Sequence, residues 1–283
     1  MLDIEIVNFY NSVRDPSWPN IQNYVDWASL PENIKEECND LHGFQHRKEQ
    51  VCDADYWRSI TTDVCVYKNL AYVPIPKCAY VYNTTLFTNL GWEKVPLSKL
   101  DISSTKFFGT MMHPRTRWLK GIIEWLVISY RINEQVEPSN DNPWTTKLFQ
   151  TNWEQLKSDL NKDSFRRLLT TINVGDAHSM PYSVMFGNLI NKITWIPMDI
   201  LTDNEVKIKM MDFFKLHGHK IALPLDDQRL HQSPTEKLEI FNTVKTLVDN
   251  DQEQLYSFYK LYADDLKFYY NLVDNFTPDW QLL

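Results

Sequence analysis

Residues 69–90 read NLAYVPIPKCAYVYNTTLFTNL, and the change of pattern inside this run sets the expected architecture. Leu70 to Ile75 is a short apolar strand, and Pro76-Lys77-Cys78-Ala79 is a tight turn. The residues from there to about Leu90 read as an amphipathic helix stopped by Gly91. A strand that enters a helix through a lysine-bearing turn aims several backbone N–H groups and one ammonium at a single point. Such a point suits a phosphate or sulfate group. The same residues also suit a buried strand, a surface turn and a core helix that bind nothing, because a motif this short recurs by chance.

Upstream, Val64 to Ile75 carries apolar residues on both parities, as in a strand buried on both faces of a parallel sheet. Downstream, Leu97 to Thr105 is a connection, and Phe107 to Met112 and Lys192 to Met198 are further strands, with Asp199 at the carboxyl end of the last. Pro114 opens a long helix, PRTRWLKGIIEWLVISYRI, with proline in its favoured first turn. Trp118, Ile122, Trp125 and Leu126 face the core by their spacing. Arg115, Arg117 and Lys120 stand in the first two turns, where cations oppose the macrodipole unless an anion sits there or nearby acids pair with them. Asn133 to Pro143 reads as a loop. Helices are expected over Trp153–Leu169, Asp203–Leu216, Thr235–Val248 behind the capping box Ser233-Pro234-Thr235-Glu236, and roughly Gln252–Val273. In the last of these, Phe258, Tyr262, Leu266, Tyr269 and Tyr270 have the spacing of core packing. Strands separated by helices predict one α/β domain over 64–283. Residues 1–63 form an N-terminal extension, packed on that domain by Trp18, Trp27 and Trp57.

The chain has 283 residues, 43% hydrophobic and 13% aromatic, with ten tryptophans, enough to bury a sizeable core. Only seven glycines are present, and neither a G-x-G-x-x-G nor a Walker loop occurs. This speaks against a dinucleotide enzyme and against a nucleotide or small-molecule kinase. A net charge of −8 disfavours a broad nucleic-acid face. Asp249, Asp251, Glu253, Asp264 and Asp265 read as solvated helix faces. The four cysteines, Cys38, Cys52, Cys65 and Cys78, form no C-x-x-C pair, so no metal site is expected. No signal-peptide pattern opens the chain and no apolar run reaches membrane-spanning length. A cytoplasmic protein with reduced thiols is expected, with no membrane partner and with the sequons at Asn83 and Asn275 coincidental.

Four patches in this order, IPKCAYVY (75–82), MMHPRTRWLKG (111–121), DAHSMP (176–181) and YSFYKLYADDLKFYYNLV (256–273), resemble the carbohydrate-type sulfotransferase family. The likeness covers roughly residue 64 onward. It implies a single domain related to nucleotide kinases with a mainly parallel sheet. The implied donor is 3′-phosphoadenosine 5′-phosphosulfate, the implied acceptor a hydroxyl of a glycan or other small compound, and no metal is needed. The absence of an N-terminal anchor points to a microbial or viral member. Pro76, Lys77, Cys78 and Ala79 match the family loop that holds the 5′-phosphosulfate, whereas Tyr80 and Val81 replace its hydroxyl pair. His113, Pro114 and Arg117 match the patch that holds the 3′-phosphate, whereas Met112 replaces an arginine and Lys120 a serine. His178 and Pro181 match an acceptor-side segment.

The resemblance therefore implies that Lys77 stabilises the leaving group and that backbone N–H groups of Cys78, Ala79, Tyr80, Val81 and Tyr82 cradle the phosphosulfate. It further implies that Arg117 and Lys120 grip the 3′-phosphate. His178 would be the base, oriented by Asp176, since an imidazole ordinarily titrates near neutrality. The alternative is a catalytically degenerate relative that binds nucleotide or a protein partner.

Overall fold

The Val64-to-Ile75 run folds as a hairpin rather than one strand. The computed structural model describes residues 63–136, 148–165, 178–179, 181–225, 235–251 and 264–273, with single positions at 32, 36, 258 and 262. Strand β1 (Asp63–Tyr67) reverses at Lys68, whose φ of 55° is left-handed, and returns as β2 (Leu70–Val73). Helix α1 (Tyr80–Asn89) follows, then β3 (Glu93–Pro96), β4 (Lys106–Met111) and α2 (Pro114–Ser129). Next come β5 (Arg131–Val136), β6 (Leu148–Thr151), α3 (Trp153–Leu160), α4 (Tyr182–Phe186) and β7 (Ile193–Pro197). Helices α5 (Asp203–Leu216), α6 (Thr235–Asp249) and α7 (264–273) complete the described chain.

The main sheet has the order β3-β1-β2-β4-β7. β2, β4 and β7 run parallel, while β1 pairs antiparallel with both β2 and β3. The architecture is α/β, but the sheet is mixed, not mainly parallel. The cause is local: a two-residue reversal at Lys68 and Asn69 joins only antiparallel neighbours. A second departure is the β5–β6 ribbon, which takes up part of the stretch read as a loop. Helix α2 accordingly stops at Ser129 instead of running through Ile132.

The two faces of the sheet bury separate apolar layers, as strict alternation requires. Ala71, Val73, Phe107 and Met111 meet Tyr182, Trp195, Tyr269 and Val273 on one side. Leu70, Tyr72 and Phe108 meet Leu86 and Phe87 of α1 and Val206, Met210 and Phe213 of α5 on the other. β2 is buried along its whole length, as a strand apolar on both parities should be. Gly109 is required here: a Cβ would stand 2.8 Å from the Trp195 ring and 3.0 Å from the Val73 carbonyl. Trp118, Ile122, Trp125 and Leu126 are all buried, and so are Phe258, Tyr262, Leu266 and Tyr269.

Among the described late acids, Asp265 reverses its reading. It is fully buried, not solvated, because it lies between Tyr262 and Tyr269 on the apolar stripe of α7. Asn83 is also buried and donates to the Tyr72 hydroxyl at 2.9 Å, so its sequon is inaccessible in the folded chain. Cys65 and Cys78 are buried free thiols. Among the described residues no helix is long and apolar enough to cross a membrane. The N-terminal extension, with Cys38 and Cys52, falls outside the described residues apart from Glu32 and Glu36, which are helical. Asp176, Glu253, Asn275 and the Ser233 cap also fall outside them.

Candidate anion-binding site

Three parallel strands share one carboxyl edge, and open α/β sheets bind ligands at that edge. After β2 the chain enters the turn at Pro76 with Lys77 at φ 70° and Ala79 at φ 57°. Both values are left-handed, a region that costs a non-glycine residue about 1–2 kcal/mol. The Cys78 N–H donates across the turn to the Ile75 carbonyl at 3.0 Å. Helix α1 then starts at Ala79 with no side-chain cap and no acid in its first turn. Its positive pole faces the sheet edge, as the first turn of a helix directs its N–H groups outward along the axis. Of the side chains there, Val81 is exposed and Tyr80 half-buried, and the Tyr82 ring lies 5.5 Å from the Lys207 ammonium.

The turn is held from beneath. The Thr110 hydroxyl donates to the Cys78 carbonyl at 2.6 Å, and Arg117 Nε donates to the Pro76 carbonyl at 3.3 Å. Tyr182 joins this turn to the next. Its hydroxyl lies 3.2 Å from Cys78 Sγ, donates to the Met112 carbonyl at 2.9 Å and accepts from the Met112 N–H at 3.1 Å. Burial pushes the Cys78 thiol and the Tyr182 phenol upward, so both stay protonated donors.

The turn after β4 is built differently. The His113 N–H donates to Asp199 Oδ2 at 2.8 Å, and Tyr269 donates to Asp199 Oδ1 at 2.7 Å. His113 Nδ1 accepts from the Arg115 N–H and caps α2. That leaves the ring proton on Nε2, which lies 3.1 Å from the Tyr270 hydroxyl. Burial lowers the His113 pKa and favours this neutral form. Arg115 forms an ion pair with Asp249 on α6. Arg117 is only 1% exposed, with its guanidinium 4.6 Å from the centre of the Tyr182 ring and Nη2 3.3 Å from Met185 Sδ.

Lys77 leans along α2, its ammonium 2.7 Å from Glu124 Oε2, and Lys237 of α6 reaches the same oxygen at 2.6 Å. Burial would raise the Glu124 pKa, but Lys77 and Lys237 outweigh it and hold the carboxyl well below the usual range. Lys120 lies one turn before Glu124 and is partly exposed. His178, half-buried, sits in a turn whose backbone crosses α2 at Gly121; a Cβ there would come within 2.4 Å of the His178 carbonyl oxygen. Arg117, Lys120, Gly121 and Glu124 stand three, four and seven positions apart on one strip of α2. Lys77 and the His178 turn both meet that strip.

The two cationic turns therefore touch, through Arg117 and Pro76, although Arg117 turns inward and Lys77 meets a carboxylate. Sequence reasoning missed Glu124, Lys237, Tyr182 and Asp265 as site-building residues. Glu124 carried a faint signal, the one charge in the apolar run from Gly121 to Ser129. Its lysine partners are too far away in sequence to have left one.

No family model, curated protein or solved structure matches this chain, so the reading of the site rests on its own geometry and chemistry. Among the described residues no group of three or more His, Cys, Asp or Glu side chains is placed to hold a metal ion.

Proposed function

We propose that the chain is a sulfotransferase that moves a sulfuryl group from 3′-phosphoadenosine 5′-phosphosulfate to a hydroxyl of a glycan or other small acceptor. The observation that carries this reading is the uncapped start of α1 behind left-handed Lys77 and Ala79, at the carboxyl edge of the parallel strands. The Cys78 N–H is already bonded to the Ile75 carbonyl, so the backbone N–H groups of residues 79–82 would receive the phosphosulfate, and Lys77 would stabilise the charge that develops on the bridging oxygen. The acceptor oxygen attacks sulfur in line, its proton passes to His178, and the bond from sulfur to the 5′-phosphate oxygen breaks. Adenosine 3′,5′-bisphosphate departs. Lys120 would meet the 3′-phosphate, while Arg117 supports this end of the site from below through Pro76.

The decisive experiment is calorimetry with adenosine 3′,5′-bisphosphate, paired with a labelled-donor transfer assay. The native chain is expected to bind and transfer, and Lys77→Ala to lose at least tenfold in affinity and all transfer with an unchanged circular dichroism spectrum. An active Lys77→Ala chain, or a native chain that neither binds nor transfers, refutes the reading.

One pair of observations favours a second reading, a degenerate relative that binds the nucleotide without turnover. Arg117 is buried, and Lys77 is already engaged by Glu124. Binding without transfer in the same assay would establish it.

A further inference from the structure

Two ammonium groups from distant parts of the chain converge on one oxygen atom. Lys77 comes from the turn after β2 and Lys237 from the first turn of α6, and both meet Glu124 Oε2. The two cations consequently stand within a few ångströms of each other. Only a negative charge between them makes that arrangement favourable. Lys237 also sits at the positive end of its own helix, where a cation is disfavoured without an anion beside it.

Helices α2 and α6 run antiparallel, and two ion pairs mark their register. Arg115 near the start of α2 meets Asp249 at the end of α6, and Glu124 late in α2 meets Lys237 early in α6. The pairs differ in what else they touch. Asp249 also bonds Lys245 of its own helix, whereas Glu124 also bonds the lysine of the uncapped turn. All three members of the Lys77–Glu124–Lys237 cluster keep some contact with solvent, their side chains being 20%, 17% and 26% exposed. An entering anion can therefore reach the seat.

We propose that Lys77 and Lys237 together form a two-ammonium seat for a phosphate or sulfate group of the donor, and that the Glu124 carboxylate is its tethered occupant until the donor arrives. The proposal rests on the donor-binding reading above and adds Lys237 as a binding residue. Glu124 is a competitor for the same cations, swinging aside when a group with more charge and more acceptor oxygens takes its place. The strong hold of both lysines on the Glu124 carboxylate keeps the competitor charged, so its competition persists across the working pH range.

The test is calorimetry of adenosine 3′,5′-bisphosphate against the full native chain and the variants Glu124→Gln, Lys237→Ala and Lys237→Arg, each checked for a native melt. Removing the competitor is expected to tighten binding about tenfold, and removing the second ammonium to weaken it by a similar factor. Lys237→Arg is expected to restore most of the affinity. If Lys237→Ala melts out, Glu124→Gln alone decides, because tightening is not the effect of damage. A Glu124→Gln chain that binds no tighter than the native chain overturns the seat while leaving the donor reading intact. No binding by the native chain or any variant ends both.

Discussion

The turn after β2 and the turn after β4 are both strand-to-helix junctions on one sheet edge, yet they are finished in opposite ways. The second is closed: His113 caps the helix, Asp199 holds the His113 N–H, Arg115 is paired, and Arg117 is driven inward onto Pro76 and Tyr182. The first is open: two left-handed residues, no side-chain cap, no acid in the first turn, and a lysine whose carboxylate partner is largely buried. The contrast divides labour between neighbours. The closed junction supplies rigidity, and the open one inherits it through Thr110 and Arg117.

The sharpest way to break this contrast is to exchange the expected phenotypes of the two cations. Arg117→Ala removes a buried side chain and orphans the Pro76 carbonyl, so it is expected to cost about 3–5 kcal/mol in urea denaturation. Lys77→Ala is expected to leave the urea midpoint almost unchanged, since partly exposed ion pairs contribute about 1 kcal/mol or less. Equal losses for both would erase the distinction.

A smaller effect sharpens the account of how the closed junction is supported. Asp265 accepts from the Tyr182 and Ser183 N–H groups and from the Ser183 hydroxyl, and so fixes Tyr182 beneath Arg117. Burial nevertheless outweighs these donors and pushes its carboxyl up to about 6. An unfolded aspartate releases its proton near pH 4. The stabilising contribution of this group is therefore complete below about pH 4 and is lost as pH rises through about 6. The loss amounts to about 2–3 kcal/mol. Urea midpoints at pH 4.5, 5.5 and 7.5 should converge on a flatter profile in Asp265→Asn. Parallel profiles would remove Asp265 from the account.

The smallest expected effect lies in the open turn. Ala79→Gly relieves left-handed strain but adds freedom to the unfolded chain, and the two nearly cancel, so stability should move by less than about 0.5 kcal/mol. Donor affinity should fall a few-fold by calorimetry, because the turn becomes less preorganised. Unchanged affinity would mean that the strain has no bearing on the ligand.

Much of this was legible from the chain alone because the signals were local. Pro114 marked the start of α2, Gly91 and Gly218 bracketed helix ends, and the double-parity run at Leu70 to Val73 marked a strand buried on both faces. The hairpin at Lys68 was not legible, because two polar residues in an apolar run look like tolerated exposure until β3 is known to pair with β1. The β5–β6 ribbon carried no clear alternation. At the site, the type and order of Lys77 and Arg117 could be read, but not their direction. That Arg117 faces inward depends on Tyr182 and Met185, more than sixty residues away, and that Lys77 meets a carboxylate depends on a helix it does not belong to. Asp265 was misread because charge was weighed ahead of its place on an apolar stripe.

The turn after β2 adopts left-handed backbone at a lysine and an alanine, although the chain owns seven glycines. Its shape is thus imposed from outside, by the Thr110 hydroxyl and the Arg117 guanidinium gripping two of its carbonyls. A peptide excised from this region would relax and lose the left-handed turn. In the intact protein the shape of this turn should also be an early casualty of partial unfolding, vanishing while most of the helical signal persists.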